Sequence, residues 1–512
     1  MKRLLVGSLL LLSAGAFSQN PTEVATRYAS EIKPGDLREK LTIIAGAEMQ
    51  GRETATPGQK RAAAFIENFF RKIGLQPGTP SGYQLPYPVY QDTLLGSSLS
   101  VNGQAFRADE SYAFNPAGIT AGEWKINNIV FAGYGMVDST HNDYEGLDVK
   151  GKWVMVLDGL SNDGAPSSTN GGGGFRRGPG SAFSKGASAR SKGAIGMILV
   201  TRDFPRKQPM STKGGMYINR TAATAFPSVS VSPALAAAML GNSALNSFDA
   251  LKTASRQTAT STVQFNVAKQ TQTLESTDVI GVLPGTDKKD EYVFITGHYD
   301  HLGIRNGQIY YGADDDGSGT TGVLELAQTF VKAAKEGHRP RRTMVFMTVS
   351  GEEEGLWGSE FYSNNPVFPL DKTSVDLNID MIGRIDPNYK GDSMNYVYPI
   401  GEDKLSSDLK PITDGINSRY VHMELDRRYN DITDPNRFYY RSDHYNFARK
   451  GVPIIFYFNG THADYHRPTD TVDKINFDLM ARRAQLVFYT AWVMANRDDM
   501  LKRDIPLNIP AR

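Results

Sequence analysis

The chain has 512 residues, 40% hydrophobic and 22% charged, a balance that buries a large core and exceeds one average domain. Its 56 Lys and Arg against 55 Asp and Glu leave a formal charge of +1, with no basic excess to hold nucleic acid or anionic lipid. There is no cysteine, which excludes disulfides, iron–sulfur clusters, thiolate metal sites and cysteine nucleophiles, so any metal must rest on His and carboxylate.

At the N-terminus, Lys2 and Arg3 precede an apolar run over 4–12, and Ala16-Phe17-Ser18 supplies small residues at a cleavage site. Residues 1–18 therefore read as a secretory signal peptide, and an exported protein, periplasmic or secreted, is expected. The run is shorter than the roughly 20 residues that span a bilayer, so no membrane span is expected after cleavage.

Residues 19–122 form the first part of the main domain. Their clearest helix covers 58–74, where Ala62, Ala63, Phe65, Ile66, Phe69, Phe70 and Ile73 recur at three- and four-residue steps before Gly74. Over 123–268 short β-like runs at 128–131, 152–157 and 194–200 surround a helix at 181–192, which reads as an inserted β-rich module. The glycine-rich run 171–180 lacks the Lys-Ser/Thr ending of a P-loop and reads as a surface loop. Over 269–512 strands at 279–283, 292–296, 343–349, 375–379 and 453–458 alternate with helices at 318–335, 445–449 and 477–496. The predicted fold is α/β, a mixed, mostly parallel central sheet flanked by helices. In such folds ligands gather beyond the carboxyl ends of the strands.

Charged residues stand at those ends. The strand at 292–296 runs into Gly297-His298-Tyr299-Asp300-His301, and Gly312-Ala313-Asp314-Asp315-Asp316-Gly317-Ser318-Gly319 opens the next helix. One acid would cap that helix; three adjacent carboxylates repel one another unless a cation neutralises them. The strand at 343–349 ends in Ser350-Gly351-Glu352-Glu353-Glu354, the strand at 375–379 runs into Asp380, and Asp464-Tyr465-His466 lies before the last helix. Imidazoles and carboxylates from five separated segments suit a pair of divalent ions, with one bridging carboxylate and an adjacent Glu left to act on water.

These motifs, in this order, resemble the co-catalytic zinc exopeptidases, the family of secreted bacterial zinc aminopeptidases that also contains glutamate carboxypeptidase and the transferrin receptor. The resemblance covers roughly residues 35–120 and 270–500. It implies two zinc ions per chain, one held by His298 and Asp380, the other by Glu353 and His466, with Asp315 as the bridge. It makes Glu352 the general base and Asp300 the carboxylate that orients His298. Residues 123–268 resemble the protease-associated domain often inserted in this family, with 152–157 and 192–200 as landmarks. Ser442-Asp443-His444 resembles the segment upstream of the last ligand, and His444 is expected to be structural rather than a ligand.

The implied activity is hydrolysis of N-terminal residues from peptide substrates, with Tyr465 either donating to the oxyanion or packing beside His466. Arg384, Arg441 and Arg467 lie near the site motifs and keep carboxypeptidase action open, because an arginine-lined pocket would bind a free α-carboxylate. Glutaminyl cyclase chemistry and a non-catalytic, receptor-like role are the remaining alternatives. Cobalt or manganese fit the same ligands.

Overall fold

The computed structural model describes residues 21–137, 141–160, 180–218 and 226–507. The signal peptide expected over 1–18 and the glycine-rich run from Gly171 to Pro179 lie outside the described residues.

The body is built on a twisted mixed sheet whose centre is four parallel strands in the spatial order Ile454–Phe458, Thr373–Ile379, Lys288–His298 and Arg342–Val349. Their near-continuous apolar sequences suit strands covered on both faces. Successive side chains alternate between two cores: Val293 and Ile295 pack into one, Phe294 into the other, and Met344 and Phe346 oppose Val345 and Met347 in the same way.

The first core is closed by helices. Pro57–Ile73 starts with Pro at its first turn, buries Ala62, Ala63, Ile66 and Phe70, and ends at Gly74 with φ +99, a conformation glycine adopts without a Cβ penalty. Gly319–Lys335 and Phe477–Asn496 complete that layer, the latter capped by the Asn476 side chain. Trp357–Asn364 and His444–Ala448 cover the opposite face. Among the described residues no helix is long and apolar enough to cross a membrane.

The β-rich module has its own six-stranded sheet, in which Ile129–Phe131, Trp153–Leu157, Gly196–Val200 and Ser228–Val231 are parallel neighbours. Its core centres on Trp153, packed edge-on against Trp124 and Phe265. Two long strands, Gln84–Val101 and Val263–Leu283, pair antiparallel along a ribbon from body to module, with a bulge at Ala268/Lys269. Packing therefore does not divide at 122/123 or 268/269. Leu99, Val101, Tyr112 and Phe114 already belong to the module core, and Val263–Leu283 runs unbroken from that core to the body's sheet.

Candidate metal centre

The strand Lys288–His298 is where the body's strand order turns back on itself, because the chain passes next to Arg342–Val349 on one side and then to Thr373–Ile379 on the other. Such a reversal opens a crevice at the carboxyl ends of the strands. His298 is the last residue of the first strand, Glu352 and Glu353 follow the second by a short turn, and Asp380 follows the third directly.

The three adjacent aspartates of the 314–316 segment have three different surroundings. Asp316 accepts from the backbone N–H groups of His298, Gly319 and Met381, so it caps the helix Gly319–Lys335 and ties two strand ends to it. Asp314 accepts from Ser318 Oγ and the Gly383 N–H and lies 3.2 Å from His462 Nε2. Asp315 faces the crevice between two imidazoles, with Oδ1 3.3 Å from His298 Nε2 and Oδ2 2.9 Å from His466 Nε2. Asp470 Oδ2 receives the N–H groups of Asp314 and Asp315 and fixes this turn.

The remaining side chains converge on the same point. His298 Nε2 lies 3.7 Å from Asp380 and 3.9 Å from Glu352, and His466 Nε2 lies 3.1 Å from Glu353. His466 sits at φ +56 in a loop held through Asp464, which accepts from Arg384, Lys474 and Thr469. The Tyr465 ring stacks on His466 at 3.9 Å, and its hydroxyl accepts from Arg441 Nη2 at 3.2 Å.

All the side chains expected from the sequence, His298, Asp315, Glu352, Glu353, Asp380, Tyr465 and His466, thus stand around one crevice. Asp300 is placed differently from a simple partner of His298. Its carboxylate accepts from Thr54 Oγ1 and from the Glu352 N–H, while His298 Nδ1 is nearer the Asp300 carbonyl oxygen, at 3.2 Å, than its carboxylate, at 3.6 Å. Asp300 thereby joins the His298 and Glu352 loops to the N-terminal segment. His444 lies off the centre, its Nε2 directed at the Tyr439 carbonyl and its ring on Phe456; burial lowers its pKa to about 3.

Sequence reasoning passed over two groups. Arg52 is fully buried and donates to the carbonyl oxygens of Ile44, Tyr299, Tyr311 and Gly312, pinning two of the loops that carry ligand candidates. No local pattern marks it, since Tyr299 is 247 residues away in sequence. Burial lowers its pKa to about 10, and the carboxylates of Asp300, Asp316, Asp315 and Asp470 oppose that shift. The other is His301, whose ring lies beside Glu353 and Asp315 and whose only sequence signal was its place two residues after the His298-Tyr299 pair.

The electrostatics are those of a carboxylate-rich, buried pocket. Burial pushes the Glu352 carboxyl well up, reinforced by Glu353 and Asp380 and opposed by His298. For Asp315 burial acts upward but the imidazoles of His298 and His466 outweigh it, and Glu353 is likewise drawn down to about 2, chiefly by His466 against burial. His298, Glu352 and Asp380 bring ligand atoms within 4.8 Å of one another, as do His301, Asp315 and Glu353. His298 Nε2, both ring nitrogens of His301 and Glu353 Oε1 are buried without hydrogen-bond partners among the described residues. Close but misaligned nitrogen and oxygen donors fit divalent zinc, which takes His and carboxylate ligands in this mixture.

Comparison with known proteins gives the same direction. The profile of peptidase family M28 matches residues 278–491, the stretch that carries every ligand candidate. These residues belong to peptidase family M28. A probable leucine aminopeptidase of Trichophyton verrucosum is 29% identical over 221 residues, 42% of this chain and 56% of that protein. A probable zinc metalloprotease of Pyricularia oryzae is 28% identical over 254 residues, 43% of this chain and 50% of that one. The chain thus spans about half the length of these curated relatives. Among solved structures, an aminopeptidase from Aneurinibacillus sp. strain AM-1 superposes with a TM-score of 0.55 at 19% identity, covering 95% of this chain and all of that one. A zinc aminopeptidase from Bacillus subtilis gives 0.51 at 17% identity, covering 93% and 99%. The M28 body and its inserted module therefore share their overall fold with these two proteins.

Proposed function

We propose that the chain is a zinc-dependent aminopeptidase of the M28 family, exported, that removes N-terminal residues from peptides. The observation that carries this reading is Asp315, buried, with one carboxylate oxygen on His298 and the other on His466, while Glu352 lies 3.9 Å from the same His298 nitrogen and lines the same pocket. In this reading His298 and Asp380 hold one zinc ion, Glu353 and His466 the other, and Asp315 is shared. When bound, the ions supply Lewis-acid polarisation of the scissile carbonyl and a water of lowered pKa.

Glu352 takes the proton of the attacking water and hands it to the leaving amine. Burial, which raises its proton affinity, suits a base that must hold a proton between two steps. The Tyr465 hydroxyl oxygen accepts from Arg441, so its hydrogen is left to be donated elsewhere, toward the oxyanion. The pocket beside Asp315, Glu352 and Asp380 is walled by Met381, Phe438, Phe456 and Phe458, which suits an apolar N-terminal side chain whose α-amine faces the carboxylates.

Of the three arginines near the site, Arg384 is paired with Asp464 and Asp470, and Arg467 is exposed outside this pocket lining. Arg441 lines it and is the group on which a carboxypeptidase reading rests. Assay of the purified, zinc-loaded protein on aminoacyl substrates with free N-termini, and on N-blocked peptides with free C-termini, separates the two. Cleavage of the first class alone supports the proposal; cleavage of the second class alone replaces it with carboxypeptidase action. Export rests on residues 1–18, and the protease-associated identity of 123–268 on its sequence landmarks. N-terminal sequencing of the protein from a periplasmic or culture fraction, expected to begin near Gln19, tests the first.

A further inference from the structure

We infer that His301 is a further ligand, through Nδ1, of the ion that Glu353 and His466 hold, so that the two metal positions are unequal. This rests on the two-ion reading above. The His301 side chain is fully buried, and Nδ1 lies 2.8 Å from Glu353 Oε1 and 3.9 Å from Asp315 Oδ2. A tetrahedral zinc shell with bonds near 2.0 Å has donor-to-donor edges of about 3.3 Å, between those two values. Glu353 Oε1 and His301 Nδ1 are close enough for a hydrogen bond yet form none, and His301 Nε2 is also without a partner among the described residues. A buried imidazole that faces a carboxylate at 2.8 Å without an aligned hydrogen bond is costly, and close but misaligned donors are what a shared cation produces.

The ring positions agree. The His301 and His466 rings meet edge to face with centroids 5.9 Å apart, so both imidazoles border the Glu353 carboxylate from neighbouring positions. The ring of His301 also has room made for it. A Cβ on Gly312 would stand 2.5 Å from His301 Cγ and Cδ2, and Gly312 itself is held at φ +55 with its carbonyl on Arg52. A side chain at Gly312 would also meet the Asp315 carbonyl oxygen, so the backbone passes close to both the imidazole and the turn that carries Asp315.

The consequence is an asymmetry between the positions. His301, His466, Glu353 and Asp315 give one ion four protein donors, which closes its shell as in structural zinc sites. His298, with Asp315 at 3.3 Å and Asp380 at 3.7 Å from its Nε2, would give the other three, leaving a place next to Glu352, whose carboxylate lies 3.9 Å from the same nitrogen. The closed position should fill first and release last, and the open one should exchange, so activity would follow occupancy of the weaker site.

The test is titration of the metal-free full chain with zinc against a chromophoric chelator, and with cobalt followed by visible absorption, for the wild type, His301→Ala and His301→Asn. The wild type should show two well-separated dissociation constants and an intense four-coordinate cobalt spectrum for the first ion. In His301→Ala the tighter constant should weaken at least ~100-fold and the first cobalt spectrum lose intensity, with added imidazole restoring both, while the weaker constant stays put. His301→Asn, which keeps a polar group of similar reach, guards against misfolding through its thermal unfolding in the metal-free state, and it should lose the tight step as well. Two ions bound with unchanged constants and cobalt spectra in both variants would overturn the role of His301 alone. Failure of the wild type to bind two ions would overturn the two-ion reading with it.

Discussion

Four parallel strands lie at the centre of the body and four at the centre of the module, but their order differs. In the module Ile129–Phe131, Trp153–Leu157, Gly196–Val200 and Ser228–Val231 follow one another in space as they do in sequence. In the body the second and third strands in sequence flank the first. The module strands lead into Ala132, Asp158, Thr201 and Ser232, the last an N-cap; the body strands lead into His298, Glu352 and Glu353, Asp380, and the loop of His466. Where the strand order reverses, helices leave to opposite faces and a crevice opens for a ligand; where it runs on, the strand ends are covered. Topology thus decides which of two similar sheets can gather charge.

That contrast can be broken by substitution. Asp315→Asn, at the centre of the crevice, should abolish zinc binding at one or both positions and reduce peptidase turnover by ~10³-fold or more, read by metal analysis and steady-state kinetics. Glu352→Gln should lower kcat by ~10²–10⁴-fold with metal content unchanged, since it removes a proton acceptor and not a ligand. Tyr465→Phe should lower kcat by ~10²-fold with little change in KM.

Stability effects sharpen the same contrast. Trp153→Ala, in the module core, should cost ~3–5 kcal/mol in denaturant unfolding while zinc content stays at the wild-type value. Arg52→Met removes the donor from the carbonyl oxygens of Ile44, Tyr299 and Tyr311 and one of two donors from that of Gly312, and should cost ~3 kcal/mol and weaken zinc binding together. The smallest effect concerns Lys185, buried in the module, where it donates to the Tyr134 carbonyl and burial lowers its pKa to about 8. Between about 8 and the ordinary 10.5 the unfolded chain binds the proton that the folded chain has lost, so stability rises with pH across that window. Relative to Lys185→Met, the wild type should gain ~2 kcal/mol between pH 8 and 10.5, read from thermal or urea unfolding at each pH.

Much of the site was legible because its residues stand where apolar strand runs stop. His298, Glu352, Glu353 and Asp380 each follow such a run, and charge placed there rather than along a solvated face is a local signal. The triplet pointed to a cation but not to how its acids divide the work, and two of them are satisfied by hydrogen bonds. Asp314, Asp315 and Asp316 are chemically identical, and only their neighbours, the Gly383 N–H on Asp314, the His298 and His466 imidazoles beside Asp315, and the Met381 N–H on Asp316, separate a brace, a candidate ligand and a cap.

The ribbon was not legible for the opposite reason. From Lys269 to Glu275 the strand is Lys-Gln-Thr-Gln-Thr-Leu-Glu, with no alternation to read, because both faces are largely open and the backbone pairing with Gln84–Val101 supplies the order. A compositional boundary at 268 consequently fell inside one strand. Arg52 and Thr54 were invisible because their partners, Tyr299 and Asp300, are brought to them only by the finished fold.

The central claim is that Asp315 sits between two ions within reach of Glu352. The most direct test is the zinc content per chain, by elemental mass spectrometry, of the wild type, Glu352→Gln and Asp315→Asn after dialysis against one buffered zinc concentration. The account predicts two ions in the first two proteins and at most one in the third. Two ions retained in Asp315→Asn, or a loss of zinc in Glu352→Gln equal to that in Asp315→Asn, would contradict it.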